Sequence, residues 1–247
     1  MIPFRDDNPT RTFPYLVVLL IAANSVIYLY QAVLPRAQGV LFVYTYGAIP
    51  AVLLGKVSFA QALLGGSRGG GVASPGTLSA VQPIWLTTLT SMFLHGSLLH
   101  LGGNMLYLWI FGNNVEDALG HVRFLVFYLF CGFLAALAQI MLSADSVVPM
   151  IGASGAIAGI LGAYYKKFPH ARVRCLIFIF LFVTVVALPA GLVLFIWFLL
   201  QVLQALEAPS AQGGVAVFAH IGGFIVGYLL IRRFEPRARP RLVRFNP

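Results

Sequence analysis

Residues 149–164 read PMIGASGAIAGILGAY. The stretch is apolar and built largely of glycine and alanine, yet it carries one serine, Ser154, bracketed by Gly152 and Gly155 in a G-x-S-G pattern. In a soluble hydrolase such a serine would sit on an exposed turn. Here the flanks have the composition of a membrane helix, and a polar side chain held in lipid needs a partner or a function. The surrounding chain has the same character. Of its 247 residues 60% are hydrophobic, 13% aromatic and only 9% charged, with a mean hydropathy of +0.89. That balance excludes a soluble domain and predicts a polytopic bundle of membrane helices.

Working outward from 151–166, apolar runs predict five further spans near 14–34, 92–113, 121–143, 189–206 and 215–232. The first run is longer than the core of a cleaved signal peptide, so it is expected to be retained. It is followed by a long connection, 35–90, with a Gly/Ser-rich part (65–76) and a short apolar piece (57–65) suited to lie along the interface. Residues 1–13 form a polar leading segment and 233–247 a basic tail. With thirteen residues ahead of the first span, no added soluble domain is expected on that side.

Charge orients the bundle. The formal net charge is +9. With the N-terminus in the cytoplasm and six spans, thirteen of the sixteen basic residues fall in inner segments, among them Lys166, Lys167, Arg232 and Arg233. Only Arg36, Lys56 and Arg68 fall outside. This positive-inside bias accounts for the charge through topology and contact with the lipid bilayer, so nucleic acid is not expected as a partner. Both termini are then cytoplasmic, and the fold class expected is an all-α six-helix bundle. The apolar segment 175–188, CLIFIFLFVTVVAL, is too short for a span and ends at Pro189. It is expected to be re-entrant or interfacial on the inner side. Cys131 and Cys175 lack ligand spacing and read as buried packing residues.

Polar groups at membrane depth cluster in three motifs: HGSLLHLGGN with His95, His100 and Asn104, GASG with Ser154, and AHIGGFIVG with His220. His100 and Asn104 are four apart and share a helix face. Ser154 and His220 both lie near the outer start of their spans, at similar shallow depth. Two small-residue stripes, Ser154–Ala158–Gly162 and Ala219–Gly223–Gly227, would let their helices approach closely and bring His220 to Ser154. That pairing is the chemistry of a nucleophile and its general base. Free N–H groups at the start of the Ser154 helix, with His100 and Asn104, could serve a developing oxyanion. No acid lies within any expected span, and Asp145, in the loop before Ser154, is a weak candidate for a third member. The reading is a Ser–His dyad. His95 and His100 are five apart and no H-E-x-x-H occurs, so no metal and no cofactor is expected.

In these residues the sequence resembles the rhomboid family of intramembrane serine proteases. The likeness rests on H-x-x-x-N (His100, Asn104), G-x-S-G (Gly152–Gly155), A-H-x-x-G (Ala219–Gly223) and the long loop after the first span, taken in order over about 14–232. It implies a water-filled cavity open to the outer side, with Ser154 as nucleophile and His220 as base. His100, Asn104 and the Ser154 backbone N–H would form the oxyanion hole. His95, Gly152, Gly155, Gly223 and Gly227 would be structural residues near the site. It also implies single-span or multi-span membrane protein substrates cut near the outer surface, with 207–219 as the gating region. An inner bacterial membrane is the expected location. The alternative is a catalytically inactive rhomboid-like scaffold that binds membrane clients; such relatives lack the serine or histidine. A transporter would call for intramembrane acids or a repeat, neither of which is read here. Where some bacterial members stack a tyrosine on the histidine, this chain has Ala158, and the ring is expected from Phe218 or the second span.

Overall fold

The computed structural model describes residues 1–66, 83–179, 182–207 and 216–236. Most of the Gly/Ser-rich segment with Arg68, the centre of the expected gating region and the tail from 237 lie outside the described residues. In chain order the elements are β1 (Ile2–Asp6), α1 (Tyr15–Val33), α2 (Arg36–Tyr46), α3 (Pro50–Leu53), α4 (Phe59–Gly66), α5 (Thr87–Thr90), α6 (Leu98–Leu119), α7 (His121–Leu142), α8 (Ser154–Lys167), β2 (Arg172–Ile179), β3 (Phe182–Pro189), α9 (Ala190–Glu207) and α10 (Val217–Phe234).

Among the described residues α1, α7, α9 and α10 are each long and apolar enough to cross a membrane. The centre of the bundle is α8, which packs on α6, α7, α9 and α10. Every residue from Gly155 to Tyr164 is buried. An apolar helix of small residues can be enclosed in this way because its neighbours approach its backbone. A Cβ at Gly223 would overlap the Gly155 carbonyl, one at Gly227 the Gly159 carbonyl and one at Gly162 the Phe224 carbonyl. Helices α8 and α10 therefore run parallel in near backbone contact. The row on α8 is Gly155–Gly159–Gly162, one residue on from the Ser154–Ala158–Gly162 stripe expected from the sequence. The shift follows from Gly155 and Gly159 also receiving α7: Cβ atoms there would meet Ala135 and Cys131 side chains at 2.9 and 2.5 Å. Lys166 and Lys167 end α8 and Arg232 and Arg233 end α10, cations where the helix dipole favours them.

The bundle has two distinct ends. At one, the connection after α1 folds over the starts of α6 and α8. Gln31 Nε2 donates to the His95 carbonyl at 2.8 Å, Ala48 pairs with Met150 and Tyr44, Ile49, Val52, Ala62 and Leu63 form a small core of their own. The apolar piece at 57–65 thus falls on α4, which buries Ala62 and Leu63 in that core.

At the other end lies a three-stranded antiparallel sheet, order β1-β2-β3, with Arg5 opposite Arg174 and Arg172 opposite Pro189. The chain is therefore not all-α: 175–188, expected as a re-entrant or interfacial element on the inner side, takes the form of most of the paired strands β2 and β3. The composition suits this, being rich in Val, Ile, Phe and Thr. What completes the sheet is β1, more than 160 residues away, a partner that local pattern cannot announce. Asp6 fastens β1 to the bundle, its Oδ2 accepting from Tyr164 Oη at 2.6 Å and Asn114 Nδ2 at 2.8 Å. Burial pushes the Asp6 carboxyl above the usual carboxylate range. Asp6→Ala leaves two donors without their acceptor and is expected to lower stability by about 1–3 kcal/mol, seen as a lower unfolding midpoint in detergent.

Helix α6 begins at Leu98 and runs to Leu119, later at both ends than the expected 92–113. Its last turn holds Glu116, fully buried, an acid that the expected bounds left outside the helix. The carboxylate accepts from Leu16 N at 3.0 Å and Val17 N at 2.8 Å, the open N–H groups at the start of α1, and it also meets His121 Nδ1. The polar run NNVED looks like a loop, but the start of α1 gives its acid a buried partner.

Candidate active site

Ser154 opens α8 just after Gly152, whose φ of +121° is open to glycine and strained for other residues. Space demands glycine there as well, since a Cβ at 152 would lie 2.8 Å from both His100 Cε1 and His100 Nε2. Gly152 N donates to the Ser91 carbonyl at 2.9 Å, anchoring the turn. The first intrahelical bond runs from Ile157 N to Ala153 O. The N–H groups of Ser154 to Ala156 thus precede the helical ladder, as at any helix start.

His220 lies in the first turn of α10 and is 8% exposed. Its Nε2 is 2.7 Å from Ser154 Oγ, and its Nδ1 is 2.7 Å from Gln201 Oε1 on α9. The Trp197 ring lies 5.9 Å from the imidazole, tilted by 39°. The ring beside His220 therefore comes from α9, not from Phe218 or the second span. The histidine is held from one side by α8 and from the other by α9.

His100 and Asn104 lie in the first two turns of α6 and line the same cavity, of about 720 Å³, as Ser154, Trp197 and His220. Ser97 Oγ caps this helix by accepting from His100 N at 3.1 Å. Gly96 N donates to His100 Nδ1 at 3.4 Å, which leaves the ring proton on Nε2, the edge that faces Gly152. Asn104 Nδ2 donates to His95 Nε2 at 2.9 Å, and His95 is itself fully buried. The amide keeps a second hydrogen for the cavity. Asp145 stands apart, its carboxylate 2.6 Å from Lys56 Nζ and the side chain 91% exposed.

Sequence reasoning missed Gln201 and Trp197. A signal was present: Gln201 interrupts an otherwise apolar run, AGLVLFIWFLLQVL (190–203), and Trp197 lies four residues before it on the same face. A polar side chain in such a run calls for a partner, but which partner depends on how α9 packs.

The Rhomboid domain family matches residues 82–235, from the approach to α5 through α10, with every one of these side chains inside the match. The chain belongs to the rhomboid family. Known rhomboid proteins similar to it include "Rhomboid protein 1, mitochondrial" of Saccharomyces cerevisiae, 34% identical over 149 residues, 58% of this chain and 40% of that protein. "RHOMBOID-like protein 6, mitochondrial" of Arabidopsis thaliana is 29% identical over 147 residues, 58% of this chain and 41% of that protein. "Presenilin-associated rhomboid-like protein, mitochondrial" of Homo sapiens is 31% identical over 147 residues, 56% and 35%. The chain thus matches well under half the length of each. These rhomboid relatives are mitochondrial by name, so the expectation of a bacterial inner membrane draws no support from them. The rhomboid match and the four long apolar helices make this chain an integral membrane protein.

Proposed function

We propose that the chain is an intramembrane serine endopeptidase that cuts transmembrane protein substrates near the outer membrane surface with a Ser154–His220 dyad. One observation carries the reading: Ser154 Oγ meets an imidazole nitrogen of another helix at 2.7 Å, on the wall of an open cavity. A serine kept only for packing in a membrane helix bonds back to its own backbone; this one is paired with a base.

The chemistry follows from the contacts. Ser154 Oγ attacks the scissile carbonyl carbon as its proton passes to His220 Nε2, and the imidazolium then returns that proton to the leaving amine nitrogen. Water then attacks the acyl carbon as it gives a proton to Nε2, and the C–Oγ bond breaks as Nε2 passes that proton back to Ser154 Oγ, which frees the acid product. The oxyanion of each tetrahedral intermediate is met by the N–H groups at the start of α8, His100 Nε2–H and the free Asn104 amide hydrogen. Asn104→Ala is expected to lower kcat by roughly 10²–10³-fold or less with little change in KM, since one oxyanion donor is lost. Steady-state cleavage of a reporter measures it, and an unchanged kcat would remove Asn104 from the site.

The topology proposed is six crossings, by α1 and α6 to α10, with both ends of the chain cytoplasmic. It is supported by the alternating direction of these helices and by the positive-inside bias. Residues 14–232 form the protease core with the loop 35–90 on the outer side, and 1–13 and 233–247 are cytoplasmic segments. Helix α8 has 14 residues, about 21 Å against a hydrocarbon core of about 30 Å. Its start is therefore sunk below the outer surface, and the cavity is the route by which water and substrate reach Ser154.

A fluorophosphonate probe tests the reading. The wild type is expected to be labelled at Ser154 and the Ser154→Ala protein to stay unlabelled. A folded wild type that binds a membrane reporter but is neither labelled nor cuts it would make the chain a client-binding scaffold instead.

A further inference from the structure

We infer that Gln201 is a positioning residue of the dyad, the group that fixes the His220 tautomer and thereby ties the base to the docking of α9. The inference rests on the protease reading. A neutral imidazole accepts a proton at only one nitrogen, and to accept from Ser154 that nitrogen must be Nε2, with the ring hydrogen on Nδ1. A buried N–H needs an acceptor, and Gln201 Oε1 lies 2.7 Å from Nδ1. The opposite tautomer would turn Nε2–H towards Ser154 Oγ and leave the serine without a base.

Among the described residues, the groups around the ring leave the task to Gln201. Ser154 faces it from α8, His100 from α6 and Trp197 from α9. On α7, Gln139 Oε1 is taken up by Ala219 N at 3.1 Å, and Asp145 is paired with Lys56. The glutamine stands where a soluble serine protease has a buried carboxylate, but it is uncharged, as a site within a membrane favours. During turnover its Oε1 keeps accepting from Nδ1–H, and no proton passes to it; only Nε2 exchanges one.

The anchor has a further consequence. The buried residues of α9 are Ala190, Val193 and Leu194, all at its sheet end. Around Gln201 the outer half of the helix is held to α10 by this hydrogen bond and by Trp197 and Phe198 against Phe224. When that half of α9 moves away, His220 loses its tautomer anchor, so the dyad is competent only with α9 packed.

Two variants of nearly equal length test this. Gln201→Met keeps the volume and removes the acceptor; Gln201→Glu keeps an acceptor at the same reach. The readouts are fluorophosphonate labelling rate, and kcat and KM on a transmembrane reporter, with the wild type and Ser154→Ala beside them. Gln201→Met is expected to lower both the labelling rate and kcat by roughly 10- to 100-fold, well below the roughly 10⁴–10⁶-fold that losing the base itself costs, with KM unchanged. Gln201→Glu is expected to recover most of that loss. A folded Gln201→Met protein labelled as fast as wild type overturns the inference, as does a folded Gln201→Glu protein as slow as the methionine variant. A wild type that does not label at Ser154 overturns the protease reading itself, a different result.

Discussion

Ser154→Ala is expected to leave a single-span transmembrane reporter uncut in detergent or liposomes, and His220→Ala is expected to match it. In the proposed dyad the two residues act as one unit: without the hydroxyl there is no nucleophile, and without Nε2 the hydroxyl keeps its proton. In serine proteases the loss of either member lowers turnover by roughly 10⁴–10⁶-fold, and removing both adds little. The double variant is therefore expected to be no worse than either single one. Neither change should unfold the protein, because each removes side-chain atoms bordering an existing cavity and leaves the backbone contacts of α8 and α10 in place. Gel analysis of reporter cleavage, with circular dichroism for folding, is the measurement. Near wild-type turnover in either folded variant would refute the dyad.

Gly223→Leu is expected to remove activity by a different route and to lower stability as well. A Cβ at this position already overlaps the carbonyl of Gly155, and the rest of a leucine must then push α8 and α10 apart. Overpacking of this kind commonly destabilises by about 1–3 kcal/mol, and here the obstacle is backbone, which cannot rotate aside. The separation also draws His220 away from Ser154, so the hydrogen bond that defines the site is lost with the packing. Gly102→Ala on α6 is the control: nothing lies within 4 Å of a Cβ there, and it is expected to melt and cleave like wild type. A Gly223→Leu protein with wild-type melting and cleavage would refute the close-packing account.

The amino-acid sequence by itself determined that the chain lives in a membrane, roughly where its helices run, and which polar side chains at membrane depth are the candidates for chemistry. These are local properties. Hydropathy over about twenty residues marks a span, and an isolated serine or histidine at that depth stands out because lipid makes an unpartnered polar group costly. The small residues flanking Ser154 and His220 also announced that α8 and α10 meet, since small side chains bring helix backbones together. Tertiary structure decided what depends on partners far along the chain. That 175–188 joins a three-stranded sheet turned on β1 at the other end of the sequence. Whether Glu116 could be buried turned on the open N–H groups of α1. The glycine row on α8 was set by α7 pressing from a second side, and the groups that hold His220, Trp197 and Gln201, were set by how α9 lies against α10. A polar residue in an apolar run declares that it has a partner; only the packed bundle selects which one.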